Sequence, residues 1–168
     1  MPLPIASRLA PPRALAHVLL LAVLTFACGA PAAELPYDAT ADARADIRHA
    51  LADAKRTHRN VLLVFGANWC EDCRALDAAL RRPANASLMA REFEVVKIDV
   101  GHFDRNLDIA TDYGDAVAKG IPSAVVVSPG ARILYATRAG ELADARSMSA
   151  SGIHDFFARA VQTAKAAR

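Results

Sequence analysis

The chain has little cysteine, little aromatic content and no strong excess of charge of either sign. Its 168 residues include three cysteines and one tryptophan, aromatic residues make up 6%, and basic and acidic residues number 20 and 18. Three cysteines cannot form the framework of several disulfides that stabilises small secreted domains. The near balance of charge argues against binding to nucleic acid or to an anionic membrane through a basic surface.

The chain also lacks an apolar run that could cross a membrane as a helix. The uncharged apolar run at residues 14–27 is about 14 residues long, whereas a transmembrane helix needs about 20. Arg8 and Arg13 precede this run and small residues follow it, which is the pattern of a secretory signal peptide. We therefore predict a signal peptide at 1–32, a periplasmic location and no membrane span after processing.

The position of signal cleavage decides whether Cys28 remains in the mature protein. An A-x-A pattern ends at Ala32, so we expect cleavage near Ala32 or Ala33, which removes Cys28. In an alternative interpretation Cys28 is the lipidated first residue of a bacterial lipoprotein, although the preceding residues 25–27 fit such a site poorly. Cleavage also leaves basic and acidic residues equal in number, so the predicted partners are proteins and small thiols.

After processing the chain keeps only Cys70 and Cys73, in the motif NWCEDC that also holds the single tryptophan. A disulfide that closes so short a loop removes little entropy from the unfolded chain, so a purely structural role is a weak interpretation. A zinc site needs two further ligands, and the histidines of the mature chain stand singly, with no second C-x-x-C. They are His49, His58, His102 and His154. A redox pair is the favoured interpretation, and no metal or cofactor is predicted.

Hydrophobic patterns predict a succession of helices and strands. Residues 39–58 carry apolar residues at helical spacing, and residues 60–67 form a short, almost wholly apolar run typical of a buried strand. Further along we predict a strand at 93–100, a helix at 104–114, two strands within 123–137 joined by a turn at Pro129-Gly130, and a terminal helix at 151–168. Such alternation indicates an α/β fold.

A further helix begins at the cysteines themselves. Cys73, Leu76 and Leu80 recur on one face, while Asp77 is expected to point elsewhere. The unpaired backbone N–H groups at a helix N-terminus carry partial positive charge and favour an anion there. The first cysteine is thereby favoured as the thiolate, which is the nucleophile in disulfide exchange. Cys70 is thus predicted to attack, and Cys73 to resolve the mixed disulfide.

Three segments, in this order, resemble the thioredoxin superfamily. They are VFGANWCEDC at 64–73, VVKIDV at 95–100 and GIPSAVVVSPGARIL at 120–134, and the resemblance extends from Ala45 to Ala164. It implies a thioredoxin fold, in which a central mixed β-sheet is flanked by helices and the C-x-x-C motif lies at a helix N-terminus. We therefore divide the mature chain into a linker at 33–41 and a thioredoxin-like domain at 42–168.

The resemblance also implies which residues contact a substrate. The Ile121–Pro122 bond would be cis, and this loop would face the cysteines, with the backbone before Pro122 pairing with a substrate strand. Trp69 resembles the tryptophan that flanks the nucleophile, although an ordinary half-exposed aromatic residue would look the same in sequence. Ile121, Pro122 and Trp69 are thus the predicted substrate-binding residues.

Several positions depart from thioredoxins proper. Val64 stands where they have a buried aspartate, and Val95 where they have its lysine partner, so the proton of Cys73 must leave by another route. The stretches 101–119 and 140–151 are longer than in a minimal thioredoxin, and no role is assigned to them. In these features the chain resembles exported bacterial thioredoxin-like proteins with a W-C-x-D-C motif.

Two acids, Glu71 and Asp72, separate the cysteines. Each negative charge is expected to raise the pKa of Cys70 by about 0.4–1 unit. Because only the reduced form contains a thiolate, this would move the couple toward reducing potentials. The acids could equally be ordinary first-turn residues favoured by the helix dipole. If Glu71 and Asp72 tune the potential of the cysteine couple in this way, the protein is expected to be a disulfide reductase.

These observations together predict a periplasmic, monomeric thiol-disulfide oxidoreductase that reduces protein disulfides and takes electrons from an unidentified donor. The alternative is a non-catalytic binding module of the same fold, in which the cysteines are incidental. Loss of disulfide exchange in a Cys70→Ser variant would separate the two.

Overall fold

The computed structural model describes residues 35–167, and the predicted signal peptide at 1–32 lies outside the described residues. The elements are, in chain order, α1 (Ala43–Thr57), β1 (Asn60–Gly66), α2 (Glu71–Leu80), α3 (Pro83–Glu92), β2 (Phe93–Asp99), α4 (Leu107–Asp112), β3 (Ser123–Val127), β4 (Ile133–Ala136), a 3₁₀ helix (Ala145–Ser147) and α5 (Ala150–Ala166). Every predicted helix and strand is present, and α3 and the 3₁₀ helix are additions. None of the helices within residues 35–167 is both long and apolar enough to cross a lipid bilayer.

The four strands form one mixed sheet in the order β2-β1-β3-β4. β1 pairs parallel with β2 and antiparallel with β3, and β3 pairs antiparallel with β4. All seven residues of β1 are buried, as expected for a strand covered on both faces. The predicted α/β fold with a central mixed sheet is therefore confirmed.

Successive side chains of β1 enter two different apolar clusters. Leu63 and Phe65 pack with residues of α1 on one face of the sheet, and Leu62 and Val64 pack with residues of α2, α3 and α5 on the other. This division follows from the strand, in which neighbouring side chains point to opposite faces. Helix α2 is held to the sheet by its apolar side, where Leu76 is fully buried.

Helix α3 was not predicted, because its sequence carries few apolar residues. Only Leu88, Met89 and one polar residue, Asn85, are buried in it. The Asn85 side chain is satisfied there, since its amide donates to the carbonyl oxygens of Ala79 at 2.9 Å and Ala150 at 3.2 Å. A proline at the first helical position, a favoured place for proline, is the one local signal of this helix.

The stretch before α1 packs against the strand that leads to the cysteines. The backbone N–H of Tyr37 donates to the Asn68 side chain at 3.0 Å, and the Asn68 amide donates to the Tyr37 carbonyl at 2.6 Å. The Tyr37 ring lies over Gly66 so closely that a Cβ there would be 2.2 Å from its hydroxyl oxygen. Glycine is therefore required at position 66, and the predicted linker, 33–41, contains a residue of the core.

Candidate active site

The two cysteines of the C-x-x-C motif lie where β1 gives way to α2. Their sulfur atoms are joined in a disulfide, with the Cα atoms 5.2 Å apart. Cys70 is the N-cap residue of α2 and has an extended backbone, and Cys73 lies in the first turn. Cys70 is 6% exposed and Cys73 is 0% exposed. Another molecule can therefore reach the disulfide only from the Cys70 side.

The N-terminus of α2 gives the Cys70 sulfur a hydrogen-bond donor. The backbone N–H of Cys73 donates to the Cys70 Sγ atom over 3.1 Å. Unpaired N–H groups in the first turn of a helix carry partial positive charge, and a hydrogen bond to the charged form of an acid lowers its pKa. Once the disulfide is reduced, this arrangement favours the thiolate of Cys70.

The loop before β3 faces the disulfide. The Ile121–Pro122 peptide bond is cis, as the resemblance implies. The carbonyl oxygen of Ile121 lies 3.7 Å from the Cys70 sulfur, and both loop residues are buried. The structure thus brings the predicted substrate-binding backbone next to Cys70, while its contact with a substrate stays a prediction.

Trp69, also predicted to bind substrate, is supported by the loop that follows β2. Its Nε1–H donates to the carbonyl of Gly101 at 2.7 Å. The ring stacks on His102 with centroids 5.3 Å apart and contacts the edge of Phe103 at 6.2 Å. Trp69 is 47% exposed and Phe103 is 42% exposed. We call residues 101–106 the aromatic loop; its contact with Trp69 was not predicted, although the carboxyl ends of parallel β1 and β2 must lie side by side.

Glu71 and Asp72 occupy the first turn of α2, as predicted. Glu71 is largely exposed and the Asp72 side chain is mostly buried. Both carboxylates contact Arg146 of the 3₁₀ helix, a contact that was not predicted. Its segment has no periodic pattern that would place it on α2. The tuning role of the two acids stays a prediction.

The expectation that Asp77 points away from the apolar face of α2 is wrong. Asp77 is buried with Leu76, and its carboxylate forms ion pairs with Lys97 and with Arg81. Position 77 lies four residues after Cys73, so it shares the buried face by helical spacing. Lys97 lies on β2 directly beside Val64 of β1. Val64 stands where thioredoxins have their buried aspartate. The Asp77–Lys97 pair therefore lies near the place of the thioredoxin acid–lysine pair, but it is formed by residues at other positions.

Tyr37 lies close to two buried carboxylates. Its burial, together with the negative charges of Asp77 and Asp99, raises the pKa of the phenol above its ordinary value of 10.0. Desolvation and nearby negative charge both disfavour the phenolate. The hydroxyl of Tyr37 therefore stays protonated at neutral pH and adds no charge beside the site.

Within residues 35–167 no group of three or more His, Cys, Asp or Glu side chains is arranged to hold a metal ion. Two of the four histidines within this range, His102 and His154, have structural contacts. His102 stacks on Trp69, and Nδ1 of His154 lies 3.0 Å from the side-chain oxygen of Asn85.

Comparison with protein families gives a match over most of this region. A family model described as thioredoxin-like matches residues 42–129, which include β1, both cysteines, the aromatic loop and β3. No curated protein matches the chain significantly.

Solved structures give further matches. A structure of disulphide isomerase from Xylella fastidiosa Temecula1 is 58% identical, covers 76% of this chain and 98% of its own, and superposes with a TM-score of 0.75. The C-terminal domain of DsbD from Neisseria meningitidis, in the oxidised form, is 22% identical over 71% of this chain and 96% of its own, with a TM-score of 0.52. A DsbH oxidoreductase is 16% identical over 80% of this chain and 87% of its own, with a TM-score of 0.53. The last two show a shared fold only.

Proposed function

Because the chain belongs to the thioredoxin-like family and is a thiol-disulfide oxidoreductase, we propose that it acts in the periplasm as a disulfide reductase. The observation that carries the role of Cys70 as the attacking nucleophile is the hydrogen bond of 3.1 Å from the Cys73 N–H to the Cys70 sulfur, at the N-terminus of α2. The more exposed sulfur thus occupies the place where an anion is stabilised. The fully buried sulfur lies directly behind it.

In the proposed reaction the thiolate of reduced Cys70 attacks one sulfur of a substrate disulfide. A mixed disulfide forms between Cys70 and the substrate, and the other substrate sulfur leaves as a thiolate. Cys73 then loses its proton and attacks the Cys70 sulfur, which releases the second substrate thiol and forms the Cys70–Cys73 disulfide. Two electrons pass to the substrate, and a dithiol donor must return them before the next cycle.

The proposed substrate is a protein segment that carries a disulfide. An extended segment could pair with the backbone of Ile121, whose carbonyl is 3.7 Å from the Cys70 sulfur. The half-exposed ring of Trp69 would contact the same segment. Pro122 offers no N–H there and leaves the carbonyl as the pairing group.

The direction of the reaction is a separate part of the proposal. The acids Glu71 and Asp72 support reduction, because negative charge disfavours the thiolate of the reduced form. A second candidate is disulfide isomerisation, since the solved structure at 58% identity is described as a disulphide isomerase. An isomerase uses the same attack by the first cysteine, but it rearranges the substrate's disulfides without net transfer of electrons.

Insulin reduction driven by dithiothreitol tests the roles of the cysteines. We expect the protein to accelerate the reaction and Cys70→Ser to abolish the acceleration. Cys73→Ser should instead accumulate a mixed disulfide through Cys70, visible on non-reducing gels, because the resolving attack is gone. Equal rates for wild type and Cys70→Ser would overturn a redox role for Cys70. Trapping through Cys73 in the Cys70→Ser variant, but not through Cys70, would reverse the two roles.

Equilibration with glutathione tests the direction. A reductase should have a potential near that of thioredoxin, about −270 mV, whereas a value near −180 mV is that of protein disulfide isomerase. The second outcome, together with recovery of activity from scrambled ribonuclease, would favour the isomerase and overturn the reductase.

The location is tested by expressing the full chain in a Gram-negative bacterium. Cleavage after Ala32 predicts an N-terminal peptide that begins at Ala33, in the fraction released by osmotic shock. A lipid-modified peptide beginning at Cys28, in the membrane fraction, would establish the lipoprotein alternative instead.

A further inference from the structure

The segment between β4 and α5 reaches the C-x-x-C helix through one arginine. In Arg146 the Nη1 atom lies 2.5 Å from Oε2 of Glu71, and Nε lies 3.7 Å from Oδ1 of Asp72. The backbone N–H of Arg146 also donates to Oδ1 of Asp72, at 3.0 Å. One residue thus contacts both acids that separate the cysteines. We call residues 140–149 the clamp segment.

The clamp segment is fixed by contacts other than this ion pair. Leu142 and Ala145 are buried in the apolar cluster that also holds residues of α2 and α5. At its end the Ser149 hydroxyl accepts a hydrogen bond from the backbone N–H of Gly152 at 3.0 Å and caps α5. The arginine is therefore presented by an anchored segment rather than by a free loop.

The titratable and charged groups near the NWCEDC motif come from α2, from β2 and the loop after it, and from the clamp segment. On α2 they are Glu71, Asp72 and Arg74, whose guanidinium donates to the carbonyl of Asn68 at 2.6 Å. The clamp segment adds Arg146. Strand β2 adds Asp99, paired with Arg105, and Lys97, paired with Asp77 of α2, and the loop after β2 adds His102 and Asp104. Of these cations only Arg146 is bonded to the acids between the cysteines. An arginine stays protonated throughout the range in which a thiol titrates.

We propose that Arg146 is a positioning residue for the redox couple: it binds the Glu71 and Asp72 carboxylates and so limits their effect on the Cys70 thiolate. The proposal deepens the proposed function and rests on it. With Arg146 in place, Glu71 is held toward the clamp segment and its charge is partly neutralised. Without it, this exposed carboxylate is free to approach the Cys70 sulfur, and the thiolate becomes less favourable.

The test is a titration of thiolate absorbance for Arg146→Gln in a Cys73→Ser background, where only Cys70 titrates. The variant keeps the backbone hydrogen bond to Asp72 and removes only the cation. We expect the pKa of Cys70 to rise by about 0.3–0.8 unit, a two- to sixfold change in the ratio of thiolate to thiol. In the two-cysteine protein the same change corresponds to a potential more reducing by about 10–25 mV.

A double-mutant cycle separates positioning from a simple effect of charge. When Arg146→Gln is made on top of Glu71→Gln with Asp72→Asn, its effect on the pKa of Cys70 should fall below half, because no carboxylate is left to position. Arg146→Lys, which keeps the charge, should restore most of the wild-type pKa. An equal effect with and without the acids, or no effect in either background, would overturn the proposal.

The matched control is Arg44→Gln. Arg44 is also a half-exposed arginine between two carboxylates, Asp108 and Asp112, but its partners lie on α4. It should leave the pKa of Cys70 unchanged, and an equal shift in this variant would overturn the proposal. These titrations are distinct from the test of function: the protein can reduce insulin through Cys70 and still show no coupling between Arg146 and the acids.

Discussion

The aromatic loop and the clamp segment both contact residues of the NWCEDC motif, but they differ in how they are held and in which groups they bring to it. The aromatic loop brings rings, and its Phe103 is 42% exposed and has a φ of 62°, which bulky residues rarely adopt. The clamp segment brings a guanidinium and is anchored by a fully buried leucine, Leu142. We infer that the aromatic loop contributes to contact with a partner, and that the clamp segment influences the charge environment of the Cys70 sulfur.

The largest expected difference between the two is in stability. Leu142→Ala removes a fully buried side chain from the core, so we expect it to lower the free energy of unfolding by about 2–4 kcal/mol. Phe103→Ala removes an exposed ring and should change it by less than about 0.5 kcal/mol. Urea denaturation of the oxidised proteins measures both. Equal losses would show that the two segments are anchored alike.

A smaller difference is expected in substrate selection. Trp69→Ala should lower kcat/KM for a disulfide-bonded peptide roughly two- to tenfold, the value of one aromatic contact of about 0.5–1.5 kcal/mol. It should leave the rate with a small disulfide such as hydroxyethyl disulfide, and the pKa of Cys70, almost unchanged. His102→Ala, which removes only the stacked support, should show the same pattern more weakly. A shifted Cys70 pKa in either variant would contradict the inferred division of roles between the aromatic loop and the clamp segment.

The smallest expected effect is that of salt, which should change the effect of the clamp segment on Cys70 but not that of the aromatic loop on substrate selection. Raising the ionic strength from 0.1 to 1 M shortens the Debye length from about 10 to 3 Å and screens exposed charges. The rise in Cys70 pKa caused by Arg146→Gln should therefore shrink in high salt, while the peptide selectivity lost in Trp69→Ala should not. Titration and kinetics at the two salt concentrations check this. A salt-independent effect of Arg146→Gln would mean that the clamp acts through packing.

The parts of this site that could be predicted from sequence are those fixed by local pattern or by resemblance. The apolar run of β1 and the C-x-x-C that follows it predict a buried strand that delivers Cys70 to a helix N-terminus, and the structure has this arrangement. The cis bond before Pro122 follows from resemblance alone, since X–Pro bonds in folded proteins are mostly trans.

The parts that could not be predicted depend on contacts between distant segments. Arg146 meets Glu71 across 75 positions of the chain, and its 3₁₀ helix carries no periodic signal. Asp77 is a charged residue that the hydrophobic pattern assigns to the surface, and its buried carboxylate is paired with Lys97, 20 positions away, as well as with its helix neighbour Arg81. Buried charges need partners, and the partner from β2, Lys97, is one that the pattern of α2 alone does not indicate.

The complete burial of Cys73 also bears on how the reduced protein would meet an oxidant such as hydrogen peroxide. With the same packing, only Cys70 is open to attack, so its thiolate is the group that would become a sulfenic acid. Cys73, in the first turn of the helix that Cys70 caps, would attack that sulfur and expel water, giving the Cys70–Cys73 disulfide. Oxidation of the Cys70 sulfur would thus end in the ordinary disulfide form, which a dithiol can reduce, before it reaches the irreversible sulfonic acid.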